Sequence, residues 1–173
     1  MADRPRVEIR RIRADEGLNL RALRLRALGN APTAFGSSLA REQAFPESTW
    51  HERAVGGASG SDRATFVAEE ADRWVGMATG VARHPEDLDH SPILIGMFVD
   101  PTQRGRGVGA ALVKTVTEWV RALAAEHLYL WATSTNRPAI ALYGKCGFRL
   151  TAETRPLGHT PSLAEVLMVR SLR

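Results

Sequence analysis

The sequence predicts an α/β (α+β) fold, in which a mixed, mostly antiparallel twisted sheet carries helices on both faces. The apolar stretch at residues 93–100 is typical of a strand covered on both sides, and a glycine-rich turn and an amphipathic helix follow it at once. A further strand follows that helix at residues 128–133. A strand, a helix and a strand in succession indicate a right-handed parallel crossover, and the strands before it are close enough to form hairpins.

The composition indicates one globular domain spanning residues 1–173. Apolar residues make up 44% of the chain and charged residues 24%. No apolar run approaches the roughly 20 residues that cross a bilayer, and the N-terminal segment is too polar for a signal peptide. The single cysteine, Cys146, excludes an internal disulfide and a cysteine-cluster metal site. We therefore expect a cytoplasmic protein with no metal and no membrane partner.

The basic charge of the chain does not indicate nucleic acid as a partner. The formal net charge is +4, but the arginines are scattered singly and no basic block with interleaved aromatic residues occurs. Solvated faces usually carry charge in this diffuse way.

The N-terminal segments predict a first strand at residues 7–12 and two helices. Asp15 is the predicted N-cap of the first helix, and Ser48 caps a second, short one. Residues 55–63 are a loop by composition. The buried stripe of the first helix is predicted at helical spacing and comprises Leu18, Ala22, Leu25 and Leu28.

Two strand-like runs, at residues 64–70 and 74–83, are separated by a turn-like tripeptide, and a polar loop leads from them to the apolar strand. The helix after the glycine segment has one apolar face, formed by Val108, Leu112, Val116, Trp119 and Leu123.

A short helix is predicted from Asn136, its N-cap, to Gly147, its C-terminal stop. The last two strands are predicted at residues 148–153 and 163–172, with a loop rich in proline, glycine and histidine between them.

The segment DPTQRGRGVGAAL, residues 100–112, is typical of an anion-binding turn. Its glycines expose backbone N–H groups at the start of a helix, where the helix dipole favours negative charge. No frame supplies the Gly-Lys-Ser/Thr ending of a P-loop. The dinucleotide fingerprint is met by Gly105, Gly107 and Ala110, but the next strand lacks the acid that binds a ribose. A tight turn that binds nothing is the alternative, although such turns seldom need three glycines in five residues.

Two motifs resemble the GNAT family of N-acetyltransferases. Arg104-x-x-Gly107-x-Gly109 matches the Arg/Gln-x-x-Gly-x-Gly/Ala signature of the family's acetyl-CoA loop, and Val99-x-Pro101 precedes it in the family's manner. The order of predicted elements also agrees, so the resemblance covers most of the chain and implies a GNAT-type fold. The stretch NRPAIALYGKCGF matches a second family element in Asn136, Ala139, Tyr143, Gly147 and Phe148.

The resemblance implies transfer of an acetyl group from acetyl-CoA, as co-substrate, to a primary amine by direct attack through a tetrahedral intermediate. Backbone amides of the glycine segment would bind the diphosphate. Backbone groups at residues 97–99 would pair with the pantetheine arm and polarise the thioester carbonyl. The cofactor-binding residues implied are Met97, Phe98, Val99, Arg104, Gly105, Arg106, Gly107, Val108, Gly109, Ala110, Asn136, Ala139 and Tyr143.

Tyr143 occupies the position of the family's general acid, which assists the leaving thiolate. The pKa of a tyrosine is near 10 and that of a thiol is near 8.5, so proton transfer from Tyr143 to the thiolate is unfavourable in water. We therefore expect Tyr143 to donate a hydrogen bond and to transfer its proton late in the reaction. A primary amine with a pKa near 10.4 is mostly protonated at neutral pH, so a base that removes this proton would assist the attack. We expect Glu69 or Glu70 to be the base, and at most one faces the cleft because neighbouring strand residues point to opposite faces. The other candidates are His84, Asp87, Asp89, His90 and Asp100.

The acceptor amine is not specified by any motif, so a small molecule and a peptide or protein both stay open. A non-catalytic acyl-CoA-binding or regulatory module on the same fold is the alternative function, which the presence of Tyr143 disfavours. The resemblance also allows a homodimer.

Phe35, Phe45 and Trp50 either wall an acceptor site or pack helices onto the sheet. Gly144 departs from the family, where a larger residue is commoner, and glycine in a helix costs up to about 1 kcal/mol.

Overall fold

The computed structural model describes residues 6–173, which form one seven-stranded sheet and five α-helices. The strands are β1 (Glu8–Arg11), β2 (Arg63–Glu70), β3 (Arg73–Val81), β4 (Ile93–Val99), β5 (His127–Thr133), β6 (Arg149–Leu157) and β7 (Thr160–Ser171). The helices are α1 (Gly17–Asn30), α2 (Leu39–Gln43), α3 (Glu47–Ser59), α4 (Val108–Ala122) and α5 (Arg137–Lys145). Two short 3₁₀ turns lie at Leu88–His90 and Pro101–Gln103.

The strand order in the sheet is β1-β2-β3-β4-β5-β7-β6. All neighbouring strands are antiparallel except β4 and β5, which are parallel and are connected through α4. This arrangement confirms the predicted mixed, mostly antiparallel sheet with a parallel crossover. Within residues 6–173, no helix has the length and apolar character of a membrane span.

The sheet separates two hydrophobic cores, one on each face. α4 covers one face with its buried Val108, Leu112 and Val116, as the spacing predicts, and Trp119 packs half-buried against the same core. Leu123 lies just beyond the helix and is 39% exposed, so it does not belong to the buried stripe. The second core lies under α1, α2 and α3. Full burial of each Val or Leu side chain stabilises the folded state by about 1.5–3 kcal/mol, so both cores hold their helices against the sheet.

The start of α1 and its buried stripe differ from the prediction. The residue before the helix is Glu16, and Asp15 is not the N-cap. Glu16 accepts hydrogen bonds from Arg10 and from the backbone N–H of Arg13 rather than from the helix. The leucines of α1 form two possible apolar stripes on the helix surface. Packing against α3 and β3 buries one of them. That stripe is Leu20, Leu23, Ala27 and Leu28, whereas Leu18 is 49% exposed.

α3 is longer than predicted. It begins at Glu47 after Pro46, so Ser48 is not its cap, and it continues through residues 55–59, which the composition predicts as loop. One of the glycines that suggested a loop serves packing instead: a Cβ on Gly57 would come 2.7 Å from Thr65 Oγ1. The helix therefore approaches β2 more closely than a side chain would allow. The last two strands are also longer than predicted, with only two residues between them.

Candidate functional site

A cleft opens at the centre of the sheet between β4 and β5. Ile93 and Tyr129 are in register, and the N–H of Tyr129 donates to the carbonyl of Pro92 at 3.0 Å. In the part of the chain that the structure describes, no later register pair joins these strands. β5 pairs along its whole length with β7 instead. The two parallel strands therefore separate toward their carboxyl ends.

A bulge in β4 accompanies the separation. Ile95 is in register with Thr79 and Phe98 with Met77, so two residues of β4 lie opposite the single residue between them. One of the two is Gly96, whose φ of +63° is the left-handed conformation that glycine adopts without strain. A bulge of this kind bends its strand and re-aims the groups beside it.

The backbone groups of Met97 and Val99 face the cleft. The N–H of Asp100 donates to the carbonyl of Val75 on β3 at 2.8 Å. Backbone groups of successive strand residues point to alternate edges, so those of Val99 point away from β3, and those of Met97 do the same. The carbonyl of Val99 accepts a hydrogen bond of 3.1 Å from Nε of Arg104, which agrees with this direction.

The glycine segment adopts the tight turn that its composition predicts. Gly105 and Gly107 have φ values of +76° and +80°, and Gly107 is the N-cap of α4. A Cβ on either would meet nothing within 4 Å, so the backbone angle is what requires glycine there. No side chain caps α4, which leaves the N–H groups of its first turn without a capping partner.

Gly109 has a different function from the other two glycines of this segment. A Cβ on Gly109 would lie 2.9 Å from Leu142 Cδ2 and 3.2 Å from Met97 Cε. Glycine here lets α4 pack against α5 and β4. The sequence pattern alone does not separate this packing requirement from the conformational requirement at Gly105 and Gly107.

The two arginines of the segment fold back onto the protein. Arg106 donates to Glu70 Oε1 at 2.8 Å and also to the side-chain oxygen of Gln103. Arg104 donates to Asn30 Oδ1 at 3.3 Å. Their guanidinium groups therefore contact the ends of α1 and β2.

Glu69 and Glu70, the expected bases, are held in ion pairs at the end of β2. Glu69 accepts from Nε of Arg10 at 2.7 Å, and Glu70 accepts from Gln103 Nε2 at 2.6 Å as well as from Arg106. Neither carboxylate lines the cavity described below. The assignment of a base to Glu69 or Glu70 therefore stays a prediction, with both carboxylates engaged in ion pairs outside this cavity.

Tyr143 reaches the central cavity from α5. Asn136 caps this helix by accepting from the N–H of Ala139 at 3.3 Å, and Gly147 follows it with a φ of +88°. The Tyr143 side chain is 7% exposed and packs edge-on against Phe148. Burial, and to a lesser degree the nearby Cys146, raises the pKa of Tyr143 above its ordinary value. The hydroxyl is therefore protonated throughout the physiological range.

The central cavity has a volume of about 550 Å³ and adjoins the cleft at Gly96 and Met97. Small-molecule sites commonly fall in the range of about 300–1,000 Å³. Phe35, Phe45 and Trp50 line it, and they also belong to the core under α1, α2 and α3. The packing predicted for these aromatic residues is therefore present, and their contribution to an acceptor site stays a prediction.

One side of the cavity is cationic. We call it the arginine wall: Arg24, Arg41, Arg53 and Arg63. The carboxylate on this wall, Glu42, accepts from Arg24 Nη2 at 2.8 Å and from Arg53 Nη1 at 3.2 Å. Burial raises the pKa of Glu42, but the hydrogen bonds and charge of Arg24 outweigh it and hold the pKa below its ordinary value.

The other side of the cavity is the acidic wall, which comprises Glu86, Asp87 and Glu165. Trp131 Nε1 donates to Asp87 Oδ2 at 2.6 Å, and Arg155 donates to Asp87 and to Glu165 at 3.2 and 2.7 Å. Burial raises the pKa of Asp87, but hydrogen bonds from Trp131 and then His90 hold it below its ordinary value.

The remaining candidate bases lie in different surroundings. His84 lines the cavity, whereas His90 lies between Asp87 and Glu153 at 2.6 and 3.0 Å. Asp89 is exposed in the 3₁₀ turn before β4. Asp100 is buried and accepts from the N–H and hydroxyl of Thr102, so it stabilises the turn that leads into the glycine segment.

A second, more open cavity of about 360 Å³ lies between α4, the end of α5 and β7. Burial raises the pKa of the Cys146 thiol, although Arg170 partly opposes this, so the thiol is in its unreactive protonated form. This agrees with a packed structural cysteine. The lining residues are Ala110, Lys114, Lys145, Cys146, Gly147 and Arg170, a basic set close to the first turn of α4.

A family model for the acetyltransferase (GNAT) family matches residues 28–148 of the chain. The chain belongs to the GNAT acetyltransferase family. The matched range contains β4, the glycine segment and Tyr143, so the predicted membership is confirmed on the residues that suggested it.

Curated relatives match shorter stretches of this GNAT protein. Streptothricin acetyltransferase of Streptomyces lavendulae is 35% identical over 89 residues, which are 51% of this chain and 46% of that protein. The uncharacterized N-acetyltransferase YobR of Bacillus subtilis is 35% identical over 60 residues, which are 35% of this chain and 24% of that protein. The chain spans less than half the length of either relative.

Solved structures share the fold over nearly the whole chain. A GNAT acetyltransferase from Streptococcus pneumoniae has a TM-score of 0.78 at 20% identity, covering 96% of this chain and 99% of that one. The acetyltransferase yncA from Salmonella typhimurium, solved with acetyl-CoA, has a TM-score of 0.77 at 16% identity, with 96% and 94% covered. These likenesses establish a GNAT-type fold.

Proposed function

We propose that the protein is an N-acetyltransferase that moves the acetyl group of acetyl-CoA to a primary amine by direct attack through a tetrahedral intermediate. The observation that carries the proposal is the cleft between β4 and β5. The uncapped first turn of α4 lies near the carboxyl end of β4, and the central cavity with Tyr143 adjoins the cleft. One ligand could thus present its diphosphate to the helix and its thioester to the cavity.

The residues around the cleft fit acetyl-CoA chemically. The N–H groups of the glycine segment and of the first turn of α4 form an anion-binding nest, and charge-assisted hydrogen bonds contribute about 1.5–3 kcal/mol each. The nearby Lys114 and Lys145 add positive charge for the phosphates. Backbone groups of Met97 and Val99 would pair with the amide-bearing pantetheine arm, as another strand would.

Catalysis would depend on fixed hydrogen-bond donors. A backbone N–H at the bulge of β4 would polarise the thioester carbonyl and stabilise the oxyanion of the tetrahedral intermediate. Tyr143 would donate a hydrogen bond to the leaving sulfur. Because its pKa is raised, the phenol stays protonated but is a weak acid, so transfer of its proton comes late. General acids contribute about 10²–10⁴-fold, and we place Tyr143 at the lower end.

A small-molecule acceptor fits the site better than a protein segment. The cavity is lined by aromatic and charged side chains from four helices and the sheet, and its volume suits a compact ligand. Relatives include proteins named for small molecules, streptothricin acetyltransferase and mycothiol acetyltransferase. The acceptor's proton is proposed to leave through the polar groups of the cavity, since Glu69 and Glu70 lie outside it.

The test measures release of CoA thiol from acetyl-CoA across a panel of primary amines, with acetyl-CoA binding measured separately by calorimetry. We expect turnover on at least one amine, and we expect Tyr143→Phe to lower kcat about 100-fold while acetyl-CoA binds as before. Tyr129→Phe is the matched control, because Tyr129 lies at the closed end of the cleft.

Two results would contradict the proposal. If acetyl-CoA does not bind, the anion-binding assignment of the glycine segment is wrong. If it binds tightly and no amine is acetylated, the non-catalytic acyl-CoA-binding module is the better description.

A further inference from the structure

The arginine wall of the central cavity carries more positive charge than its own residues neutralise. It holds four arginines and one carboxylate, Glu42, which Arg24 and Arg53 already share. On the acidic wall, by contrast, Arg155 pairs with both Asp87 and Glu165. The excess of positive charge therefore lies on the arginine wall, whereas the acidic wall has an excess of carboxylates.

Arg63 is the centre of this imbalance. It is the first residue of β2, is half-buried and lines the cavity. Among residues 6–173 no carboxylate lies within ion-pair distance of its guanidinium. Burial first, and then the charge of Arg53, lowers the pKa of Arg63, with only partial opposition from Asp62. Arg53 and Arg63 both line the cavity, and an anion bound there would offset the repulsion between their charges.

Arg53 is held in a fixed orientation on this wall. Its guanidinium lies 5.0 Å from the ring centres of both Phe45 and Trp50, and Nη1 donates to Glu42. An arginine stacked in this way keeps its remaining N–H donors in a planar fork, which matches the two oxygens of a carboxylate.

We propose that the acceptor is a primary amine that also carries a carboxylate, and that Arg53 and Arg63 bind this carboxylate. The inference rests on the proposed function, because it assigns the acceptor of the same site. The amine lies toward Gly96, where the cavity meets the cleft. An amino acid with an apolar side chain is the simplest compound of this class, since Phe35 and Trp50 supply an apolar surface.

Arg63 and Gly96 line the same cavity, but they are not level in the sheet. Arg63 pairs with Val81 on β3, and Val81 pairs with Ile93 on β4. Arg63 is therefore level with the start of β4, three residues before Gly96. β2 and β4 are separated by β3 alone, so their backbones lie about 10 Å apart. A compound that reaches both positions therefore has its carboxylate toward the start of β4 and its amine at the bulge.

The test compares matched acceptors that differ only in the carboxylate: L-phenylalanine, L-phenylalaninamide and 2-phenylethylamine, with a second set built on L-leucine. Values of kcat/KM are corrected for the unprotonated fraction of each amine. We expect the amino acid of at least one set to be preferred about 10-fold or more. Arg63→Gln should lower kcat/KM for that amino acid about 10- to 100-fold, mainly through KM, and change the other two compounds less than about 2-fold.

Two variants control for charge and folding. Arg63→Lys keeps the positive charge but lacks the planar set of guanidinium N–H donors. It should retain part of the preference for the amino acid that Arg63→Gln loses. Arg121→Gln removes an exposed positive charge from α4, outside the cavity, and should leave all three acceptors unchanged. Each variant is checked by thermal unfolding.

A direct binding measurement separates this inference from the proposed function. Calorimetry compares N-acetyl-L-phenylalanine with N-acetyl-2-phenylethylamine in wild type and Arg63→Gln. A carboxylate preference that Arg63→Gln abolishes supports the inference even where no acetyl transfer occurs. Acetyl transfer to the three acceptors with no preference, or an equal loss for all three in Arg63→Gln, overturns the inference and leaves the proposed function standing.

Discussion

Gly109 of α4 and Leu142 of α5 lie in such close contact that a Cβ on Gly109 would come 2.9 Å from Leu142 Cδ2. The same contact holds α5 in place, and Tyr143 is the next residue of that helix. The packing of two helices therefore sets the position of the hydroxyl in the cavity.

Gly109→Ala should lower the free energy of unfolding by about 1 kcal/mol, because overpacking at a close contact costs about 1–3 kcal/mol and the contacted atoms are ends of side chains that can shift. Urea unfolding measures it. In the background of Leu142→Ala the cost should largely disappear, which gives a coupling energy of about 0.5 kcal/mol or more.

Gly107→Ala is the matched comparison for this pair. Because Gly107 has a φ of +80°, alanine there should lower the free energy of unfolding by about 1–2 kcal/mol through backbone strain. No neighbour lies within 4 Å of the added Cβ. Leu142→Ala should therefore leave its cost unchanged. Equal coupling of both glycines to Leu142 would contradict the assignment of separate functions to them.

Gly144→Ala should stabilise the protein by about 0.5–1 kcal/mol. Gly144 lies inside α5, is exposed, and a Cβ there would meet nothing within 4 Å, so alanine removes the entropic cost of glycine in a helix. Gly147→Ala, three residues on, should have the opposite sign because its φ is +88°. Thermal and urea unfolding compare the two variants, and a destabilising Gly144→Ala would show that this position is not regular helix.

The parts of the structure that the sequence predicts well are those encoded locally. The stripe of α4, the turn at Gly105 and Gly107, and the cap and stop of α5 depend on residues within a few positions of one another. These short-range signals are also the ones that carry the family resemblance, so the fold and the cofactor side of the site follow from them.

The walls of the cavity could not be predicted in this way. Glu42, Arg53, Arg63, Arg155 and Glu165 come from five separate elements, and no spacing in the sequence connects them. With 19 acidic residues in the chain, nothing local distinguishes Glu42, which becomes buried only because Arg24 and Arg53 meet it. The error at Asp15 has a more local origin, since Arg10, six residues before Glu16, and the N–H of Arg13 engage the Glu16 carboxylate.

Glu42→Gln should lower the free energy of unfolding at pH 7 by about 3 kcal/mol, because removing one partner of a buried ion pair leaves the other charge uncompensated. Glu42 is 1% exposed, so solvent screens this loss little. Glu52→Gln, which removes an exposed carboxylate from α3, is the control and should change stability by less than about 0.5 kcal/mol.

The effect of Glu42 should depend on pH with a definite sign. Its pKa in the folded protein lies below the ordinary value of 4.5, so its contribution to stability is complete above about pH 4.5 and is lost as the pH falls through the folded pKa. The gap between wild type and Glu42→Gln should therefore be constant from pH 7 to 5 and narrow below pH 4.5. Chemical unfolding at each pH measures it, and a gap that widens on acidification would contradict the ion pair.

Tyr143 should not ionise in the range where tyrosine ordinarily does. Burial raises its pKa above the ordinary value of 10, since the charged phenolate is poorly solvated there. The chain has two tyrosines, so alkaline titration followed by absorbance near 295 nm can separate them by comparing wild type with Tyr143→Phe. We expect the two curves to coincide up to about pH 11 and to diverge only at higher pH, or on unfolding in denaturant. Divergence between pH 9 and 10.5 would mean that water solvates the hydroxyl, and Tyr143 would then be a stronger acid toward the leaving thiolate than its burial implies.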